Sequence, residues 1–324
     1  MIFNRPWYII SSVIKCKLCP SGVIAGEIRW RCAAVRKGER MDHICDLNVH
    51  STYSDGTFSP AQLIRLAEDA NISAVALCDH NTVAGLPEFL AAAAKSSVQA
   101  VPGVEFSTDY GNTELHILAL FVRPPFYAAV TEQVEQMMRR KEQSNIELIA
   151  ALRTAGIDLN YETIKAGTAG GLVNRAVIAA EMVRLGCCGS VKEAFFRWLS
   201  EKCGYFHPPR RLDALETIRF IKSIGAVAVL AHPFLNLDEQ GLREFLPGAK
   251  ACGLDAMEVY YPKFSGEQMA LAADMAAQFG LLPSGGSDFH GANKPDILLG
   301  KGRNNLHISC ALLEELAKRA DEAV

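Results

Sequence analysis

Five of the eight histidines, His50, His80, His116, His232 and His290, lie within or just after short apolar runs. Acidic residues stand beside four of them: Asp55 after His50, Asp79 before His80, Glu114 before His116 and Asp288 before His290. Glu105 closes a further apolar run. Imidazole mixed with carboxylate is a donor set for Mn, Zn or Fe, whereas a structural zinc site would be rich in thiolate. Bound cations of this kind support hydrolysis, because they lower the pKa of water and neutralise charge on phosphate oxygens. Taken singly, each feature is ordinary. Ser54-Asp55-Gly56 makes an adequate turn, Ala231-His232-Pro233 a strand that ends at a proline bend, and Gly285-Gly286 a tight turn. Their recurrence at one strand end after another is what argues for a site.

For residues as distant as His50 and His290 to meet, the fold must gather its strand ends on one face. Apolar runs rich in Val, Ile and Leu over 44–49, 74–78, 98–104, 115–122, 226–231, 256–260 and 281–284 read as strands. Helical patterns fall between them, over 59–71, 212–223, 239–251 and 266–279. Ser59-Pro60 supplies a cap and a first-turn proline for the earliest of these helices. Strands alternating with helices predict a parallel sheet covered by helices, and in a closed (β/α) barrel the strand C-termini converge where chemistry is placed. The rhythm breaks between 124 and 203, where helical patterns over 130–154, 161–166, 175–185 and 191–200 follow one another. This stretch is expected to be a helical insertion. The barrel is then expected over 41–123 and 204–324.

The 324 residues carry a net charge of −3, so no overall basic field of the kind that dominates nucleic-acid binding is present. Residues 1–40 differ, with eight Lys and Arg against Glu27 and Glu39. They are expected to form a basic leader outside the fold, such as an upstream extension read in by the choice of start codon. A secretory signal fits less well, because Arg5 is a thin positive region and Lys15 and Lys17 follow the apolar run at once. No apolar run reaches the roughly 18–20 residues of a membrane span. Ten irregularly spaced cysteines in a chain this large suggest buried free thiols in a reducing cytoplasm, and Cys16-x-x-Cys19 lacks a second pair to complete a zinc site.

Asp46-Leu-Asn-Val-His-Ser-Thr-Tyr-Ser-Asp-Gly56 resembles the opening motif D-x-H-x-H-S-x-x-S-D-G of the polymerase and histidinol phosphatase (PHP) superfamily. Cys78-Asp-His-Asn-Thr82 is similar to its second motif, and Pro102-Gly-Val-Glu-Phe-Ser107 with His116 to its third. Ala231-His-Pro233 and Gly286-Ser-Asp-Phe-His-Gly291 resemble the fourth and last. The motifs run in the expected order over about 42–305. Within the superfamily the likeness is to stand-alone phosphoesterases with a helical insertion, including 3′,5′-nucleoside bisphosphate phosphatases and the 5′-to-3′ exoribonuclease called ribonuclease AM.

The resemblance implies a distorted seven-stranded (β/α) barrel holding two or three divalent metals, commonly Mn, with Zn, Fe or Mg as alternatives. It implies Asn48, His50, Glu105 and Asp288 around the first metal. Glu105 would bridge to a second held by His116 and His232, while Asp55, His80 and His290 would hold a third. Asn48 departs from the motif, which has His there. An amide oxygen is neutral and a weaker donor than imidazole to transition metals, so this change is read as tuning of the first site. His232 and Asp288 are the candidate proton carriers.

For substrate phosphate, Arg175 is the first candidate, since guanidinium pairs bidentately with phosphate. Tyr205, His207 and Arg210 follow, with Lys263 and Lys294 weaker choices. The substrate expected is a small phosphorylated nucleotide, or the end of a short RNA or DNA. A phosphatase for another metabolite such as histidinol phosphate, and a metal-binding module without catalysis, are the competing readings.

Overall fold

The computed structural model describes residues 43–168, 173–209 and 211–322. The basic leader over 1–40 and Arg210 lie outside the described residues. In chain order the strands are β1 (Cys45–Val49), β2 (Ala74–Leu77), β3 (Gln99–Tyr110), β4 (Thr113–Leu120), β5 (Leu212–Asp213), β6 (Val227–Leu230), β7 (Ala256–Tyr260) and β8 (Leu282–Gly285). Seven of them form a curled sheet in the order β1-β2-β3-β4-β6-β7-β8, with the two-residue β5 paired to β3. Closure comes from the chain just past β8. The N–H of His50 donates to Phe289 O at 3.0 Å, and that of Asp288 to Asn48 O at 2.9 Å. Gly286 permits this approach, because a Cβ there would stand 2.4 Å from Asn48 Cβ and 2.6 Å from Asn48 N.

The sheet is mixed, which corrects the all-parallel expectation. β4 runs antiparallel to both β3 and β6, while the other neighbours on the path are parallel. The cause is the Gly111-Asn112 turn, with Gly111 at φ +60, which folds β3 back on itself as a two-residue hairpin. Two placements follow. Glu105 lies in the middle of β3 rather than at its end. His116, near the start of β4, is paired with Ser107 and so faces the same end of the barrel as the strand C-termini.

Helices α1 (Pro60–Asp69), α2 (Leu86–Ala93), α7 (Ala214–Ser223), α8 (Glu239–Ala251), α9 (Gly266–Gln278) and α10 (Cys310–Glu322) accompany the sheet. Ser59 caps α1 in a reciprocal box with Gln62. Leu63, Ile64 and Ala67 of α1, Ile218 and Ile221 of α7, and Leu242 and Phe245 of α8 bury themselves in the main core.

Between β4 and β5 come α3 (Tyr127–Thr154), α4 (Tyr161–Ala166), α5 (Arg175–Arg184) and α6 (Val191–Ala194), the last continuing as a π-helical turn over Phe195–Leu199. α3, about 42 Å long at 1.5 Å per residue, belongs to two cores. Val130, Val134 and Met137 pack into the main one. Leu148, Ile149 and Leu152 pack with Ile164, Ile178 and Met182 into a second.

Candidate metal centre

The loops that carry the motifs are tied down by two buried aspartates. Asp79 accepts from Ser51 N (2.7 Å), Ser51 Oγ (2.6 Å) and Ser54 Oγ (2.7 Å), which fixes the turn that presents Asp55. Asp46 accepts from Ser287 N and Gly300 N, each at 2.8 Å, and from Ser287 Oγ, fixing the loop of Asp288 and His290 to β1. Two candidate ligands have backbones that L-residues rarely adopt: His232 at φ +27 and Asp288 at φ +55. Strain of this kind persists only where surrounding bonds over-determine it.

Glu105 is the hub. Its Oε1 lies 3.0 Å from His116 Nδ1 and 3.1 Å from His232 Nε2. Its Oε2 lies 3.1 Å from His50 Nε2 and 3.3 Å from His80 Nδ1. Asp288 Oδ1 is 3.4 Å from both His50 Nε2 and His290 Nδ1. Asp55 Oδ1 is 3.1 Å from His290 Nε2, and Asp55 Oδ2 is 3.8 Å from His80 Nε2. The structure therefore brings His50, Asp55, His80, Glu105, His116, His232, Asp288 and His290 into one cluster. Asn48 adjoins it through its backbone bond from Asp288.

Several of these close approaches lack hydrogen-bond angles. Both ring nitrogens of His50, His80 Nδ1, Glu105 Oε2 and Asn48 Oδ1 are buried with no hydrogen-bond partner among the described residues. Buried polar atoms are nearly always paired, so the unpaired Glu105 Oε2 standing 3.1 Å from His50 Nε2 and 3.3 Å from His80 Nδ1 calls for a cation between them. Metal–ligand bonds of about 2.0–2.2 Å set neighbouring donors roughly 3–3.5 Å apart, and the spacings above match except the 3.8 Å from Asp55 to His80. Donor atoms of His50, Asp55, His80 and His290 all lie within 4.8 Å of one another, as do those of His80, Glu105 and His116. The residues fit divalent cations.

The charges are strongly coupled to position. Burial opposes a charged His116, but Glu105 and Glu114 outweigh it and raise its pKa to about 10. His116 in turn, with Arg211, lowers Glu114 to about 2. Burial takes His80 down to about 4. Burial resists ionisation of Asp288, yet the charges of His50 and Lys294 leave its carboxyl below the ordinary range. Glu258 goes the other way: burial, reinforced by Glu105 and Asp288, pushes it well up.

Beside the cluster lies a cavity of about 900 Å³, reached at Glu114. Arg175 lines it, together with Lys141, Arg211 and Phe206. The Arg175 guanidinium lies 4.0 Å over the Phe206 ring and donates to Leu199 O at 3.3 Å. Tyr205, His207 and Lys263 are not among its lining residues. Tyr205 packs against Trp198, while His207 and Lys263 are exposed. Lys294 instead contacts the cluster, with Nζ 2.6 Å from Asp288 Oδ2. Lys141 and Arg211 escaped the sequence reading because nothing separates them from solvated charges until the fold sets them on the cavity wall. Glu258 escaped because it lies inside a strand, away from every motif.

The sequence matches the family model described as the PHP domain over residues 46–179. A 5′-3′ exoribonuclease of Haemophilus influenzae is 33% identical over 246 residues, covering 76% of this chain and 89% of that protein. A 3′,5′-nucleoside bisphosphate phosphatase of Chromobacterium violaceum is 30% identical over 252 residues, covering 76% of this chain and 86% of that protein. A solved Bifidobacterium adolescentis structure, described as a metal-dependent phosphoesterase, superposes with a TM-score of 0.63 at 25% identity. It covers 87% of this chain and 98% of that one. The segment matched by the family model contains His50, Asp55, His80, Glu105 and His116, and the chain belongs to the PHP-domain family of metal-dependent phosphoesterases.

Proposed function

We propose that the chain hydrolyses phosphate esters of nucleotides, taking 3′,5′-nucleoside bisphosphates or the ends of short oligonucleotides, with Mn as the cation. The observation that carries this reading is the cavity of about 900 Å³ beside the cluster, lined by Arg175, Lys141, Arg211 and Phe206. Cationic side chains with an aromatic ring suit a ligand that has more than one phosphate and a base. Relatives that act on RNA or nucleoside bisphosphates point the same way.

Asn48, His50, Glu105 and Asp288 would hold a first cation. Glu105, His116 and His232 would hold a second, and Asp55, His80 and His290 a third. When bound, such cations lower the pKa of water and screen phosphate charge. The protein's own part is to hold Glu105 between two groups of histidines and to keep Asp288 ionised, with Oδ2 fixed by Tyr261 and Lys294. His232 and Asp288 would carry protons. The helices over 124–203 are read as an insertion that walls the cavity and supplies Arg175.

Phosphate release from adenosine 3′,5′-bisphosphate, a 5′-phosphorylated short RNA and histidinol phosphate, each with added Mn, tests the proposal. Preference for either nucleotide substrate is expected. Equal or faster turnover of histidinol phosphate would overturn it. Absence of any turnover, with His50→Ala equally inert, would favour a module without catalysis.

A further inference from the structure

Glu258 belongs to none of the motifs, yet it touches two residues of the cluster. It lies in β7, fully buried. Its Oε1 accepts from Asn48 Nδ2 at 3.3 Å, and its Oε2 accepts the His232 backbone N–H at 2.6 Å. It therefore joins β1 to the chain just past β6. The second bond anchors the unusual backbone of His232.

The first bond decides which way the Asn48 amide points. An amide has one donor end and one acceptor end. The Nδ2 end is the one that meets Glu258 Oε1, so Asn48 Oδ1 is turned away from Glu258. That atom is fully buried and has no hydrogen-bond partner among the described residues. The backbone carbonyl oxygen of Asn48 meanwhile accepts the N–H of Asp288, whose Oδ1 stands 3.4 Å from His50 Nε2. An orphan oxygen thus sits two residues before His50 on the strand that leads to it, on a residue whose backbone is bonded to Asp288 of the same cluster.

The geometry points to Glu258 as a positioning residue that fixes the Asn48 amide with Oδ1 toward the first cation. The site then has a neutral oxygen where the motif has imidazole, and oxygen donors favour Mg or Mn over Zn. This inference rests on the metal reading of the cluster and is independent of the nucleotide reading.

The test titrates Mn and Zn into metal-free full-length protein by calorimetry and counts bound metal by elemental analysis. The proteins compared are wild type, Glu258→Gln, Asn48→Ala, their double variant and Asn48→His. Glu258→Gln should weaken one class of Mn site about 10–100-fold, the range for losing a ligand's supporting contact. In the Asn48→Ala background the same change should cost about twofold or less. Asn48→His should raise the preference for Zn over Mn about tenfold or more. An unchanged Mn affinity in Glu258→Gln, or an equal loss in both backgrounds, would overturn the inference. Should Glu258→Gln not fold, Asn48→His carries the test alone, and an unaltered Zn-to-Mn preference sinks it. Preference for a non-nucleotide ester would overturn the substrate reading and leave these affinities where they are.

Discussion

Tyr261 donates its hydroxyl to Asp288 Oδ2 across 2.8 Å, and the pair divides the two oxygens of that carboxylate between different tasks. Lys294 Nζ binds the same Oδ2 at 2.6 Å, so this oxygen is saturated from outside the cluster. Oδ1 is left facing His50 and His290. Tyr261 is 1% exposed, and burial together with the Asp288 charge holds its hydroxyl firmly protonated, so it remains a donor. Tyr261 packs like a core residue yet orients a member of the site.

Tyr261→Phe should therefore lower kcat/KM for a phosphomonoester by about 10-fold or more, the scale for losing a contact that orients a metal ligand. Lys294→Ala should act in the same direction, and the double variant should lose more than either. The fold should survive, because phenylalanine keeps the packing against His232 and Phe264. Steady-state kinetics with thermal melts checks both statements. Full activity in the double variant would refute the division of oxygens.

Cation uptake should release a proton from His116. In the metal-free cluster Glu105 and Glu114 raise its pKa to about 10 against the opposing effect of burial, so at neutral pH it is an imidazolium. A ligand nitrogen must be unprotonated, so binding is favoured as pH rises toward that value and weakened as pH falls below it. The dependence should be roughly tenfold in affinity per pH unit for one displaced proton. Calorimetry at pH 7 in buffers of different ionisation enthalpy measures the proton directly. Glu114→Gln removes one of the two carboxylates and should shrink the amount released.

Much of the site was legible because its residues sit in continuous motifs at strand ends. His50, His80, His232 and His290 each follow a strand, and the apolar run before each marks where that strand stops. His116 was legible as a residue but not in its setting, since the direction of β4 depends on the Gly111-Asn112 hairpin rather than on apolar content. Glu258 could not be read at all. Within Ala256–Tyr260 a buried glutamate has no local signature, and its meaning comes from Asn48, brought beside it by barrel closure. The cavity wall was similarly hidden, because Lys141 is one charge on a 28-residue helix rich in them.

Gly286→Ala should destabilise the protein and weaken metal binding together. The added methyl would stand 2.4 Å from Asn48 Cβ and 2.6 Å from its backbone nitrogen, so β1 and the chain past β8 would have to separate. Overpacking of this kind costs about 1–3 kcal/mol. It would also disturb the bond from Asp288 N to Asn48 O that sets the spacing of the cluster. Thermal melts of the metal-free protein and Mn titration read the two effects. A lowered melting temperature with undiminished Mn affinity would show that the closure seam and the cluster are independent.

Arg175 provides the test of the cavity as the place where substrate phosphate binds. Its guanidinium lies over the Phe206 ring at 4.0 Å and is tethered to Leu199 O, and it lines the cavity with Lys141 and Arg211. A guanidinium positioned in this way can meet a phosphate with two parallel donors, which an ammonium on a flexible stem cannot do. Arg175→Ala should raise KM for a nucleoside bisphosphate by about 10–100-fold, the scale of a charge-assisted bond worth roughly 1.5–3 kcal/mol, and should change kcat far less. Arg175→Lys should restore little of it. The defect should be larger for a substrate with two phosphates than for 4-nitrophenyl phosphate, whose single phosphate is taken by the cluster. Equal defects on both substrates would move Arg175 from substrate binding to support of the helical core around Phe206.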